Sequence, residues 1–219
     1  AMDEEDLEMS DDEEPITAQQ VLQKLEKLWL NEKFAADLLP YDADIVDLMV
    51  GQLVHMEENV KQLDKNDFRS ITHKMELERI RYVLGCYLRC RLQKIEEYTY
   101  YILKEEDKRP PQEKRLSEGE LKFAKDYYES IENHFKQIAV RHMPQNHQDD
   151  AEQRIVRPNL AAHVFIRTNK ALGELFLNSD SSQYIPPTTT GDEDGAGTIH
   201  MIQYQLVENL VIKDEVELI

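Results

Sequence analysis

FRSITHKMELERIRYVLGCYLRCRLQKIEEYTYYILKEE, residues 68–106, contains no proline and a single glycine, Gly85. It reads as one helix of about 39 residues, ~60 Å long at ~1.5 Å per residue and roughly twice the width of a small domain. On a wheel advancing about 100° per residue, Leu77, Ile80, Val83, Leu84, Cys86, Tyr87, Leu88, Cys90, Leu92 and Ile95 spread over roughly 240° of the circumference. A helix covered by one neighbouring face needs only a little over ~100°. This one is expected to be enclosed on most sides. It also outruns the shorter helices of its own chain, so it points to partners.

The polar strip left on this helix holds Glu78, Arg89, Gln93 and Glu96, whereas Arg91 and Lys94 fall inside the apolar arc. An unpaired buried ion costs several kcal/mol, so a charge there must be paired or must snorkel to water. Arg79, Arg81, Arg91 and Lys94 are therefore candidates for ion pairs with acidic residues of a neighbouring helix. Two sources stay open: a second chain, or intramolecular pairing, for instance with Glu57 or Glu58, with the long stems reaching solvent.

Working outward, a second helix is expected from about Asp42 to Leu63, with Ile45, Val46, Met49, Leu53, Met56, Val60 and Leu63 on its buried stripe. Before it, Thr17 and Gln20 form a capping box that starts a first helix carrying Val21, Leu22, Leu25, Leu28 and Trp29. Beyond the long helix, the segment Asp107 to Arg115 with Pro110 and Pro111 is a loop. Ser117 and Glu120 make a second capping box. The fourth helix it opens should turn Leu121, Ala124, Tyr128, Ile131, Phe135 and Ile138 toward the core and end at His142 to Pro144.

Composition changes after Pro144. Residues 145–157 are polar without a helical stripe and read as a linker. His163 to Thr168 and Leu172 to Leu177 read as a β-hairpin, Asn178 to Gly197 as a long loop rich in Ser, Thr, Pro, Gly and Asp, and Thr198 to Tyr204 as a third strand. Leu206, Val207, Leu210 and Val211 would line a short helix, with Val216 and Leu218 alternating in a terminal strand. The expected architecture is mainly α: an acidic tail over 1–15, a helical bundle with one very long helix over 16–144, the linker, and a small β-rich domain over 158–219. A β-rich domain of about 60 residues is marginal alone and should dock on something.

The charge pattern excludes some functions. The net charge is -18, and Asp3 to Glu14 alone holds nine acids and no base, leaving 35 acids against 26 bases elsewhere. Such a tail has too little apolar surface to offset the entropy of ordering and is expected to be solvated. Ser10, followed by Asp11, Asp12 and Glu13, would suit an acid-directed kinase. A body that is still acidic is a poor autonomous DNA binder, because that affinity rests on Lys and Arg neutralising phosphates. No run of 18 apolar residues suggests a membrane span, and two cysteines, Cys86 and Cys90, fit a reducing compartment.

Catalytic signatures are missing from the sequence. It has no Walker-type phosphate loop, no Gly-x-Ser-x-Gly elbow, no His-Glu-x-x-His and no Cys-x-x-Cys pair. Cys86 and Cys90 stand four apart without further ligands nearby and read as small buried thiols. The run Asp192 to Gly195 lacks the spacing and closing Glu of an EF-hand. No cofactor or metal is expected.

At His55-Met-Glu-Glu-Asn-Val60, Met75-Glu-Leu-Glu-Arg-Ile-Arg-Tyr-Val-Leu84 and Tyr87-Leu-Arg-Cys-Arg-Leu92 the chain resembles the Go, or SLD-five, family of the eukaryotic GINS complex. The similarity extends through Arg141-His-Met-Pro144, Val164-Phe-Ile-Arg167, His200-Met-Ile-Gln-Tyr204 and Val216-Glu-Leu-Ile219, essentially the whole chain after the tail. Lys213-Asp-Glu215 departs from it, standing where related sequences tend to have glycine, and so does the long 178–197 loop. The resemblance implies a non-catalytic subunit of a nuclear heterotetramer that joins the hexameric minichromosome-maintenance motor and its cell-division-cycle cofactor in the replicative helicase, near DNA polymerase epsilon, with little or no direct DNA contact and no membrane. On that footing Arg79, Arg81, Tyr82, Leu88, Arg91 and Ile95 are the expected interface positions, and Val216, Leu218 and Ile219 form the strand that docks the β domain. The reading from a different class is a free-standing helical adaptor that binds through its long helix and acidic tail.

Overall fold

A computed structural model describes residues 17–63, 67–144, 155–169, 174–178, 181–184 and 197–219. The acidic tail with Ser10, most of the linker and most of the 178–197 loop lie outside the described residues. Four helices, α1 (Ala18–Phe34), α2 (Ala43–Gln62), α3 (Phe68–Lys108) and α4 (Glu118–Ile138), form the helical body. Each begins where a side chain takes over an orphan amide. Thr17 and Ser117 complete the two capping boxes, Asp42 accepts from the Ile45 amide, and Asp67 accepts from the Arg69 amide.

The long helix is the axis, at 41 residues. Its N-terminal half packs Leu77, Ile80, Val83, Leu84 and Tyr87 against Val21, Leu22 and Leu25 of α1 and Ile45, Val46, Met49 and Leu53 of α2. Its C-terminal half buries Ile95 and Ile102 with Ala124 of α4 and Leu38 of the α1–α2 connection. Between the halves the helix bends at Tyr98 (φ -114°, ψ 25°). The Thr99 hydroxyl donates to the carbonyls of Ile95 and Glu96, a local bond that competes with the helical ladder and opens it.

α4 departs from the expected pattern. Ala124 is buried, but Phe135 is 52% and Ile138 62% exposed. Periodicity set one apolar face correctly, yet beyond the bend α3 no longer covers that face.

The C-terminal region contains β1 (His163–Thr168), β2 (Glu174–Asn178), β3 (Ser181–Tyr184), β4 (Ile199–Gln203), α5 (Tyr204–Ile212) and β5 (Val216–Leu218). The expected hairpin between 163–168 and 172–177 does not form. β1 is the centre of an antiparallel sheet in the order β4-β1-β5, and β2 pairs instead with β3, inside the stretch read as loop. Burial decides the pairing of β1. Ile166 lies opposite His200 and Leu218 in register, and Ile166, Ile202, Val216 and Leu218 all turn inward onto Tyr204, Val207 and Val211 of α5. Ala35 and Leu39 of the helical body enter the same cluster, so the sheet docks on its own chain.

Two details fix that dock. The Leu218 amide, on the edge strand, donates to Asn31 Oδ1 at 2.8 Å, and Lys27 pairs with Asp214 and Glu217 at 2.7 Å each. Asp214 sits in the left-handed region (φ 61°), a conformation that favours glycine and that aspartate tolerates better than most residues. This is the departure noted at Lys213-Asp-Glu215, and here the aspartate side chain is used by α1.

Candidate functional site

Arg91 is the largest fully buried side chain of the described residues. Its Nε and Nη2 reach Glu120 Oε1 and Oε2 at 2.7 and 3.0 Å, and Nη1 reaches Glu32 Oε2 at 3.2 Å and the Leu39 carbonyl at 2.7 Å. Nη2 also donates to the Arg115 carbonyl at 2.8 Å. All five guanidinium donors are thereby used, two of them in a bidentate fork. Burial on its own would lower the Arg91 pKa, but the hydrogen bond to Glu120 and the charges of Glu32 and Glu120 outweigh it, and the pKa is raised.

The cluster extends on either side. Lys94 Nζ meets Glu32 Oε1 at 2.8 Å and the Asp37 carbonyl at 3.1 Å. Arg115 joins Asp37 Oδ2 at 3.0 Å, the Leu38 carbonyl at 2.8 Å and Glu208 Oε1 of α5 at 2.6 Å. Burial pushes the Asp37 carboxyl up, against the Leu38 amide and Arg115, which lower it. One polar network therefore ties α1, α3, the start of α4 and α5 together.

This placement corrects part of the expectation. Arg91 and Ile95 are sealed inside the chain and have no surface to offer a neighbour. Val216 and Leu218 likewise face their own α5 and α1. The acids that meet Arg91 and Lys94 come from this chain. Glu32 was legible by the same test that singled out Arg91, since it continues the α1 apolar stripe one turn beyond Leu28 and Trp29. Nothing local marks Asp37 or Arg115.

The remaining expected positions lie at the surface. Arg79 pairs loosely with Glu26 and Glu76 at 3.8 and 3.4 Å, and Arg81 with Glu57 and Glu78, all on exposed side chains where solvent screens the attraction. Tyr82 is 63% exposed and meets Trp29 edge-on at 6.5 Å. Leu88 is half-buried beside the main core, and Ile219 is at the surface, its amide bonded to the Phe165 carbonyl. Phe68, Ile71 and Met75, which the sequence reading did not single out, are 77%, 50% and 69% exposed on α3. With Tyr82 they recur at the three-, four- and seven-residue steps of a helix-pairing seam. Among the described residues no group of His, Cys, Asp and Glu stands together as a metal site.

Comparison with known proteins agrees with this two-part organisation. Residues 41–139 match the GINS complex protein helical bundle domain, and residues 158–219 match the C-terminus of DNA replication complex GINS protein SLD5. The chain is 38% identical to DNA replication complex GINS protein SLD5 of Rattus norvegicus over 217 residues, covering 98% of this chain and 96% of the relative. It is 36% identical to the protein of that name from Homo sapiens over 220 residues, with the same coverage, and 27% identical to that from Arabidopsis thaliana over 221 residues, covering 96% of each. Matched in its helical body, in its sheet and over nearly its whole length, the chain belongs to the SLD5 family of DNA replication GINS proteins.

Proposed function

We propose that the chain is a non-catalytic subunit of a nuclear, heterotetrameric GINS complex, and that this complex is a component of the replicative helicase with the minichromosome-maintenance motor and its cell-division-cycle cofactor, near DNA polymerase epsilon. The observation that carries the reading is the exposed seam Phe68, Ile71, Met75 and Tyr82 on a helix otherwise packed into its own chain. Exposed large apolar side chains in a helical row are a surface for another helix. Arg79, Arg81 and Leu88 flank that seam, and Ile219 supplies a separate contact from the sheet. The work is architectural. Helices of sister subunits would cover the seam, and ATP hydrolysis would belong to the motor.

The test is co-expression with candidate sister GINS subunits, read by native mass measurement. Met75→Glu with Tyr82→Glu should expel the chain from the assembly while leaving its own helical circular dichroism and melt unchanged, because neither side chain is buried. Assembly of the double variant at wild-type stoichiometry would remove the seam from the interface.

A further inference from the structure

Where α3 bends, it parts from α4 around a groove of about 220 Å³. The floor and walls are aromatic: Tyr98 and Tyr100 come from α3, and Tyr127, Tyr128 and Phe135 from α4. Tyr100 and Tyr128 meet at 5.7 Å between ring centroids, tilted by 43°, which holds both rings in place. Ile131 and the exposed Val156 add aliphatic surface. The charged residues of the lining are all carboxylates, Glu96, Glu97 and Glu132.

We propose that this groove is a docking site for a segment of a partner protein that presents a lysine or arginine beside a bulky apolar side chain. The site is separate from the α3 seam, lying past the bend. Three features converge on that occupant. The rings expose negative π-faces and an apolar body at once, which suits a cation next to hydrocarbon. A lysine of the chain itself, Lys104, already lies 5.9 Å from the Tyr100 centroid at the rim, so the ring attracts ammonium in this setting. The carboxylates add an anionic field, and only Glu132 is paired, with Lys136 at 2.8 Å; Glu96 forms no ion pair among the described residues.

The tyrosines register that field. Burial raises the Tyr98 pKa and Glu97 raises it further, while burial and then Glu132 raise that of Tyr128. A nucleic acid would need cations in the lining to meet its phosphates, and an acidic peptide would be repelled. The bend supplies the concavity, since two straight antiparallel helices would close on each other over this stretch.

The experiment is selection of random phage-displayed peptides on the full chain, alone or co-purified with whatever GINS subunits keep it soluble. The enriched peptides should share a Lys or Arg within a few positions of Leu, Phe or Trp. Their binding should weaken by about tenfold or more, ~1.4 kcal/mol, on Glu96→Lys with Glu97→Lys and again on Phe135→Ala. These side chains are exposed, and circular dichroism melts matching the wild type confirm the fold. Should Phe135→Ala melt early, Val156→Ser, at a 57% exposed position, replaces it. An acidic or uncharged consensus, no enrichment, or binding untouched by these substitutions overturns the proposal. So does a concentration-dependent dimer broken by the same substitutions, which would give the groove to a second copy of the chain. Neither result bears on the seam, whose own variants are read by assembly.

Discussion

Arg91→Ala would strip five hydrogen bonds from the centre of the molecule, but its acid partners would not suffer equally. Glu32 keeps Lys94 at 2.8 Å, so its charge stays compensated. Glu120 keeps only the Ser117 amide at 3.0 Å, which leaves a carboxylate that is 8% exposed without a cation. Removing one partner of a buried pair costs about 3–5 kcal/mol, and the carbonyls of Leu39 and Arg115 lose their donor besides. Against a total stability of roughly 5–15 kcal/mol for a folded chain, that is a large fraction. Urea unfolding followed by circular dichroism measures it, and a second substitution identifies the cause. Glu120→Gln keeps the capping box, because glutamine serves at that position as glutamate does. On its own it should destabilise, by weakening the fork to Arg91. In the Arg91→Ala background it should restore stability by ~1–2 kcal/mol, since it removes the stranded charge. A loss below about 1 kcal/mol for Arg91→Ala, or equal destabilisation by Glu120→Gln in both backgrounds, would refute the claim that Glu120 is the residue Arg91 neutralises.

Tyr204 is fully buried, and its hydroxyl has no hydrogen-bond partner among the described residues. Tyr204→Phe should therefore raise stability by ~1 kcal/mol in the same urea assay; a drop would mean that the hydroxyl is bonded in solution. Asp37 makes a pH prediction. Its carboxyl is held above the ordinary value of 3.8, chiefly by burial, so the folded state binds that proton more tightly than the unfolded chain does. Its contribution to stability thus falls as pH rises from about 3.8 through the folded pKa. Asp37→Asn should remove that fall from a stability-versus-pH profile, and an unchanged slope would assign it to another group.

Features set by neighbouring residues were legible in the sequence. The boxes at Thr17–Gln20 and Ser117–Glu120 mark helix starts because the bonds close within three residues. The conflict at Arg91 and Lys94 was equally plain, as charge inside an apolar arc is a property of one helix. Which acids resolve it was not, because Glu32 lies 59 and Glu120 29 residues from Arg91 in sequence, and only the packed body brings them together. The same limit explains β1, whose nearest apolar run in sequence lost to β4 and β5, strands that bury their alternate side chains on α5. Phe135 and Ile138 show a further limit: periodicity gives the face of a helix but not what covers it, and here the bend at Tyr98 withdraws the cover. Of the candidate interface, Tyr82 came from the family resemblance, whereas Phe68, Ile71 and Met75 needed burial to be known.

The bond from Leu218 to Asn31 spans 187 residues. On a ribosome adding about 5–20 residues per second, Asn31 waits roughly 10–40 s before its partner exists. Through that interval α1 can join α2 and α3, but its flank carrying Lys27, Asn31 and the neighbouring Ala35 has nothing to cover it. The contact that joins the two parts of the molecule is thus among the last to form in the cell, and its formation depends on the helical body having already set α1 in place.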